Sequence, residues 1–248
     1  MSKAILITGA SRGIGRAAAR LAGQRGWAVG INYAGNADAA RAAVAEVEAE
    51  GGRALAIQGD VSVEADVIAM FDAAQNAFGA LDGFVNNAGV LDPSMPLADM
   101  DAARIKRIFY VNVYGAYLCA REAARRLSKS RSGRGGAIVN ISSVAARLGS
   151  PLEFVDYAGS KGAIDTLTIG LAKELGPEGV RVNAIRPGLI ETDIHASGGR
   201  PDRAATLGVT TPMGRAGTAD EVAEAIVWLL SDAASYVSGA LLDVSGGR

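Results

Sequence analysis

The chain is poor in the residues that build covalent and metal frameworks. Its 248 residues include one cysteine, Cys119, and one histidine, His195. A single thiol excludes an internal disulfide, and one Cys with one His cannot form a thiolate–imidazole metal cluster. Cys119, within the helical stretch VNVYGAYLCAREAARRL, is expected to be a small core residue, and His195 a solvated loop residue. An excess of either charge is also missing: 25 Lys plus Arg stand against 26 Asp plus Glu, a formal net charge of −1. A nucleic-acid partner would need a basic excess gathered on one face, so none is expected. No apolar run reaches the length of a membrane span. The N-terminus enters an apolar strand almost at once, leaving no room for a signal peptide. A cytoplasmic protein without a membrane partner is expected. The one dense basic run, REAARRLSKSRSGR at 121–134, reads as a solvated helix end and loop.

What the chain does have is apolar residues, 49% of the total, arranged in alternation. Short apolar runs at 4–8, 28–31, 54–57, 83–85, 137–141, 181–185 and 241–244 read as strands. They are apolar throughout rather than at every second position, as strands covered on both faces should be. Amphipathic stretches lie between them. In EADVIAMFDAAQNAF, Val67, Met70, Phe71, Ala74 and Phe78 recur at helical spacing. Thr218 to Glu221 forms a capping box before Val222, Ile226, Leu229 and Leu230. Strand–helix alternation from end to end predicts a mostly parallel sheet with right-handed crossovers and helices on both faces. No linker or repeat divides the chain, so 1–248 is expected to be a single domain. Two polar segments break the rhythm, at 128–136 and 191–212. The longer follows a strand and is expected to be a lid.

Three glycines, Gly9, Gly13 and Gly15, crowd the turn between the first strand and the first helix. Glycine costs about 0.5–1 kcal/mol relative to alanine within regular structure, so the cluster needs a local reason. Strand, glycine turn and helix together make an anion site, because the first helical N–H groups are free and the helix dipole is positive there. The spacing is T-G-x-x-x-G-x-G, without the Lys-Ser/Thr of a nucleotide-hydrolysing loop. Further on come Asn86-Asn87-Ala88-Gly89 after the fourth strand, Ser142-Ser143 after the fifth, and Tyr157-Ala158-Gly159-Ser160-Lys161 opening a helix.

This ordered set resembles the classical short-chain dehydrogenases/reductases. The likeness runs over essentially the whole chain, including Asp60-Val61, Asn112 in VNVYG, Pro187-Gly188 and the closing YVSGALLDVSGG. It implies a Rossmann-type doubly wound sheet of about seven strands and an oxidoreductase interconverting a carbonyl and a secondary alcohol. Tyr157 and Lys161 are four residues apart, so on a helix they share a face, about 6 Å apart along the axis. A free phenol titrates near 10, and a fixed ammonium is expected to bring it down toward neutrality. The resemblance makes Tyr157 the proton donor or acceptor and Ser143 the holder of the substrate oxygen. Tyr157 and Lys161 would also be dinucleotide contacts, Lys161 at the nicotinamide ribose, and Asn112 would anchor a water that relays protons to Lys161. Between Ser143 and Tyr157 the chain is one residue longer than the family's commonest spacing. Register relative to the fifth strand favours Ser143 over Ser142.

The same resemblance places a dinucleotide on Gly9, Ser11, Arg12, Gly13, Ile14 and Gly15, and on Asn32 and Tyr33 at the end of the second strand. Asp60 and Val61 would meet the adenine. Asn87, Ala88, Gly89, Pro187 and Gly188 would line the cleft, with Ile190 and Thr192 at the carboxamide. The second strand ends without a carboxylate, and Arg12 can reach a 2′-phosphate, so NADP(H) is preferred and NAD(H) left open. The substrate pocket is expected from 91–95, 145–155 and 191–212. The pattern is similar to those of 3-oxoacyl-carrier-protein reductases and sugar dehydrogenases such as glucose 1-dehydrogenases. For an acidic carrier, Arg125, Arg126, Lys129 and Arg131 are the candidate docking residues. A non-catalytic NADP(H) sensor is the alternative of another class. The segments 158–175 and 236–247 resemble those that form two-fold contacts in the family, which implies a homodimer or homotetramer.

Overall fold

The computed structural model describes residues 2–248, with the side chain of His195 outside the described residues. Seven parallel strands form one sheet: β1 (Ala4–Ile7), β2 (Ala28–Tyr33), β3 (Arg53–Gln58), β4 (Gly83–Asn86), β5 (Gly136–Ile141), β6 (Val180–Pro187) and β9 (Leu241–Val244). Their order is β3-β2-β1-β4-β5-β6-β9, so the chain reverses its direction of winding between β1 and β4. Ligands of such sheets bind outside the carboxyl ends of the strands at that switch point. β1 and β4 are fully buried along their length, and both are apolar but for Asn86 at the end of β4. A separate parallel pair, β7 (Ile190–Glu191) with β8 (Gly217–Thr218), was not visible in the sequence pattern.

The helices are α1 (Gly13–Gln24), α2 (Ala37–Ala49), α3 (Glu64–Phe78), α4 (Ala102–Phe109), α5 (Ala116–Leu127), α6 (Ala145–Leu148), α7 (Val155–Leu175), α8 (Ile194–Ser197), α9 (Arg203–Gly208) and α10 (Ala219–Leu230). One face of the sheet is covered by α1, α2 and α10. The small side chains Ala18, Ala19 and Ala22 of α1 join Val222, Ile226 and Leu230 of α10 in one buried cluster. On the other face Met70 and Phe71 of α3 pack with Leu118 and Cys119 of α5 against Phe84 and Ile138. Cys119 is buried in this cluster, and burial pushes its thiol up to about 12. Thr218 and Glu221 close the expected capping box at the start of α10.

A π-helical segment, Tyr110–Gly115, joins α4 to α5. Gly115 fits there because a Cβ would lie 3.0 Å from both the carbonyl oxygen and Cγ2 of Val61. Basic residues that follow on α5 are largely neutralised: Arg121 pairs with Glu64, and Arg126 with Glu122 and Asp72. Their loop, 128–136, runs into the amino end of β5, the opposite end of the sheet from the switch-point cleft. Among the described residues, no helix is long and apolar enough to cross a membrane, and no cluster of three or more metal-ligating side chains occurs.

Candidate active site

A cleft of about 650 Å³ opens at the carboxyl ends of the strands. Its floor is the glycine turn. Gly9 has φ of +62°, a left-handed conformation, and a Cβ there would meet Ala88 Cα at 3.0 Å. Gly15 does not line the cleft; its missing side chain lets α1 approach the ends of β1 and β4. A Cβ would lie 2.6 Å from Asn87 Nδ2 and 2.8 Å from the Gly9 carbonyl oxygen. The first turn of α1 carries no acidic residue, and its N-cap, Arg12, makes no side-chain capping bond. The leading N–H groups therefore face the cleft with the positive end of the helix dipole. That donor set fits a pyrophosphate.

Of the other residues expected at a dinucleotide, Ser11, Arg12, Gly13, Ile14, Tyr33, Asp60, Val61, Ala88, Gly89, Pro187, Gly188, Ile190 and Thr192 line the cleft. Arg12 is exposed, and among the described residues its guanidinium has no ion-pair partner. Asp60 accepts bonds from the backbone N–H and hydroxyl of Ser62, which orients its carboxylate. Asn32 also lines the cleft, with its amide engaged inside the protein. It is 2% exposed; its Oδ1 accepts from Gly9 N at 3.1 Å, and its Nδ2 donates to the Gly59 carbonyl at 3.0 Å. Its side chain braces the glycine turn and is not free to meet a phosphate. Asn87 does similar work from β4, donating to the carbonyls of Thr8 and Gly9. Thr8, which the sequence did not single out as a site residue, accepts at Oγ1 from the N–H groups of Asn87 and Ala88.

The reactive end of the cleft lies between the end of β5 and the start of α7. Ser142 and Ser143 face opposite ways. Ser142 is buried and donates to the Lys161 carbonyl at 3.1 Å, whereas Ser143 Oγ accepts from Ala145 N–H at 3.1 Å and lines the cleft on the side of the Tyr157 phenol. The two variants should therefore part company: Ser143→Ala should abolish turnover with folding intact, and Ser142→Ala should lower the melting temperature first. Thermal melts beside turnover assays check this, and equal inactivation without loss of stability would contradict the assignment.

Lys161 is 4% exposed; its Nζ donates to the Ile141 carbonyl at 2.8 Å and lies 5.6 Å from the centre of the Tyr157 ring. The expectation that Lys161 draws the phenol toward neutrality does not hold in the protein alone. Burial pushes Tyr157 up to about 12, with the Ser143 hydrogen bond pulling the other way, and burial brings Lys161 down to about 8. Desolvation penalises both charged forms and outweighs their attraction. Asn112 stands behind the cleft wall in the π-helical segment. Its amide closes a two-way bridge with Val90, accepting at 2.8 Å and donating at 2.9 Å, and reaches Ser160 Oγ at 3.3 Å. The bridge holds the loop after β4 beside Lys161.

Two ion pairs that the sequence did not reveal frame the substrate side. Arg104 and Asp156, both nearly inaccessible, are joined at 2.8 Å, and Arg104 also donates to the Pro93 carbonyl. The pair fastens the 91–95 loop to the residue just before Tyr157. Glu153 receives Arg203 of α9 at 2.7 and 2.6 Å, while Arg200 approaches at 3.4 Å. Arg203 also stacks on Phe154 at 5.1 Å. The segment 191–212, expected to be a loop, thus carries two short helices and is tied to the 145–155 loop.

A glycine-floored cleft at the switch point, with Ser, Tyr and Lys converging at one end, can hold a dinucleotide beside a group that exchanges protons. A family profile described as Enoyl-(Acyl carrier protein) reductase matches residues 9–248. The chain is a short-chain dehydrogenase/reductase. It is 51% identical over 98% of its length to an uncharacterized oxidoreductase, YgfF, of Escherichia coli K12, covering 98% of that protein. It is 40% identical to L-rhamnose 1-dehydrogenase (NAD(P)(+)) of Sphingomonas sp. SKA58, over 99% of this chain and 95% of the relative. A short-chain dehydrogenase from Burkholderia cenocepacia, solved in complex with NADP, superposes with a TM-score of 0.90 at 35% identity, covering 99% and 97%. This short-chain dehydrogenase/reductase is accordingly an oxidoreductase of alcohol and carbonyl substrates, and its solved relatives bind nicotinamide dinucleotides.

Proposed function

We propose that the protein is an NADP(H)-preferring carbonyl reductase in which Tyr157 transfers the proton and the substrate is a ketone with an apolar body. The observation that carries this reading is the Tyr157–Ser143–Lys161 cluster at one end of the cleft. The cofactor, held along Gly9–Ile14, Asp60-Val61 and Ile190-Thr192, supplies the hydride. The chain's own residues do the rest. Ser143 holds the carbonyl oxygen and stabilises charge as it builds there. Tyr157, protonated at neutral pH, donates its proton to that oxygen. Lys161, charged below about pH 8, lies beside the phenol and limits the cost of the phenolate that remains. Asn112 holds the Val90 loop against Lys161, and its role in proton relay is part of the same proposal.

Arg12 supports the preference for NADP(H): it is an exposed, uncommitted guanidinium beside a strand end that presents no carboxylate. The substrate side is lined by Leu91, Val144, Leu148, Phe154, Leu189 and Ile194, with Arg203 already engaged by Glu153. Such walls suit a hydrocarbon body and leave most sugar hydroxyls without partners. We place 191–212 as the lid over this pocket and the enzyme in the cytoplasm. A sugar substrate is the second reading, favoured by the L-rhamnose dehydrogenase relative. Docking of an acidic carrier on Arg125, Arg126, Lys129 and Arg131 is disfavoured, because that face lies at the far end of the sheet from the cleft. A purely sensing protein would not need the intact proton-transfer cluster.

A panel assay of NADPH oxidation decides the substrate class. Cyclic and branched ketones should exceed sugar lactones and acetoacetyl thioesters in kcat/KM by more than about tenfold, the value of one well-buried side-chain contact. A lactone at the top of the panel would overturn the apolar-substrate assignment.

We also place a homo-oligomer contact on the π-helical segment. Phe109, Tyr110, Tyr114 and Tyr117 are each 40–46% exposed and line an apolar groove with Val113 and Lys106. Soluble monomers rarely leave such aromatic clusters open. Tyr114→Glu should convert the dimer or tetramer to monomer in analytical ultracentrifugation. A wild-type monomer would contradict the placement.

A further inference from the structure

Asp165 is a buried carboxylate that the proposed chemistry does not use. It sits one helical turn beyond Lys161, as Lys161 sits one turn beyond Tyr157, so the three share one face of α7 at intervals of about 6 Å. Asp165 is 8% exposed. Its Oδ2 accepts from Arg186 of β6 at 3.0 and 2.8 Å, while its Oδ1 is buried without a hydrogen-bond partner. Burying a carboxylate oxygen unsatisfied is costly, and one ion pair with Arg186 does not require it.

We propose that Asp165 is a positioning residue for proton transfer, whose carboxylate keeps Lys161 charged inside the buried site. This rests on the reading of Tyr157 and Lys161 as the proton-transfer pair. The other neighbours of Lys161 cannot do this. On its own helix, Tyr157 is neutral when protonated. β5 presents the Ile141 carbonyl and the Ser143 hydroxyl, and the π-helical segment presents Asn112. The loop after β4 presents Gly89, whose added Cβ would stand 3.6 Å from Lys161 Nζ. Arg104 of α4 is held by Asp156, and Arg147 of α6 by Asp243. The charged side chains of α5 are taken up in pairs with one another or with α3. Asp165, one helical turn from Lys161 on the same face of α7, is the carboxylate that remains, and its charge acts against the burial that draws Lys161 down to about 8. Arg186, itself 3.6 Å from Asp243, fixes the carboxylate and moderates its charge.

The test reads Lys161 directly. The whole protein is pulse-acetylated with acetic anhydride across a pH series, and the labelling midpoint of Lys161 is measured by peptide mass spectrometry. Asp165→Asn should move that midpoint down by about one unit, a shift at the low end for a nearby opposite charge, and Asp165→Glu should restore it. Arg186→Met, which leaves the carboxylate unmoderated, should move it up, and it carries the test if Asp165→Asn does not fold. An unchanged midpoint in both variants would overturn the proposal. The reading of the chain as a carbonyl reductase fails separately, if no carbonyl in the substrate panel oxidises NADPH.

Discussion

Replacing Tyr157 by Phe should lower kcat for carbonyl reduction by about 10²–10⁴-fold, the contribution of a positioned general acid, and leave NADPH binding unchanged. The phenol hydroxyl holds its proton at neutral pH, since burial pushes it up to about 12, and it is the proton donor assigned to the carbonyl oxygen. The ring itself packs beside Lys161 and remains in the variant. The pH dependence follows with a definite sign. Reduction needs the phenol protonated and Lys161 charged, so it should decline as pH rises through about 8, where Lys161 loses its proton. Alcohol oxidation needs the phenolate and should rise with pH. Stopped-flow turnover with fluorescence titration of NADPH separates the two effects. A variant that keeps more than a tenth of wild-type kcat would contradict the role given to Tyr157.

Replacing Arg12 by Ala should weaken NADPH binding by about 1.5–3 kcal/mol, the range for hydrogen bonds to a charged group, and spare NADH. Three features set Arg12 apart. Arg12 is exposed at the mouth of the glycine turn and forms no ion pair among the described residues. The nearest carboxylate after β2, Asp38, is paired with Arg41. Asn32, at the strand end, is buried and committed to Gly9 and Gly59, so it neither attracts nor repels a 2′-phosphate. Isothermal titration with both dinucleotides measures the difference. Equal losses for NADPH and NADH would show that Arg12 only supports the turn.

The inner strands and the glycine turn are readable in the sequence because parallel strands buried on both faces are largely apolar, and a turn with positive φ favours glycine. Tyr157 and Lys161 are readable by the same logic, since helical spacing alone puts them on one face. Other features depend on contacts between distant segments. Arg104 and Asp156 lie 52 positions apart, and Glu153 and Arg203 lie 50 apart. Nothing local marks either pair, because each exists only where the fold closes the substrate loops together. The engagement of the Asn32 amide is hidden for a related reason. A polar residue at a strand end looks available to a ligand until the turn packed over it claims both ends of its amide. The upward push of burial on Tyr157 in the protein alone is hidden likewise, because spacing gives the separation of two groups and says nothing of the desolvation that opposes both charges.

The central claim is that this cleft transfers hydride from NADPH to a carbonyl carbon while Tyr157 supplies the proton. The most direct measurement uses NADPH carrying deuterium at nicotinamide C4 and the best ketone from the panel, with product analysed by mass spectrometry. The account predicts one deuterium on the carbinol carbon of the alcohol made by the wild-type enzyme, and almost no alcohol from Tyr157→Phe. NADPH bound tightly but never oxidised by any carbonyl would contradict it.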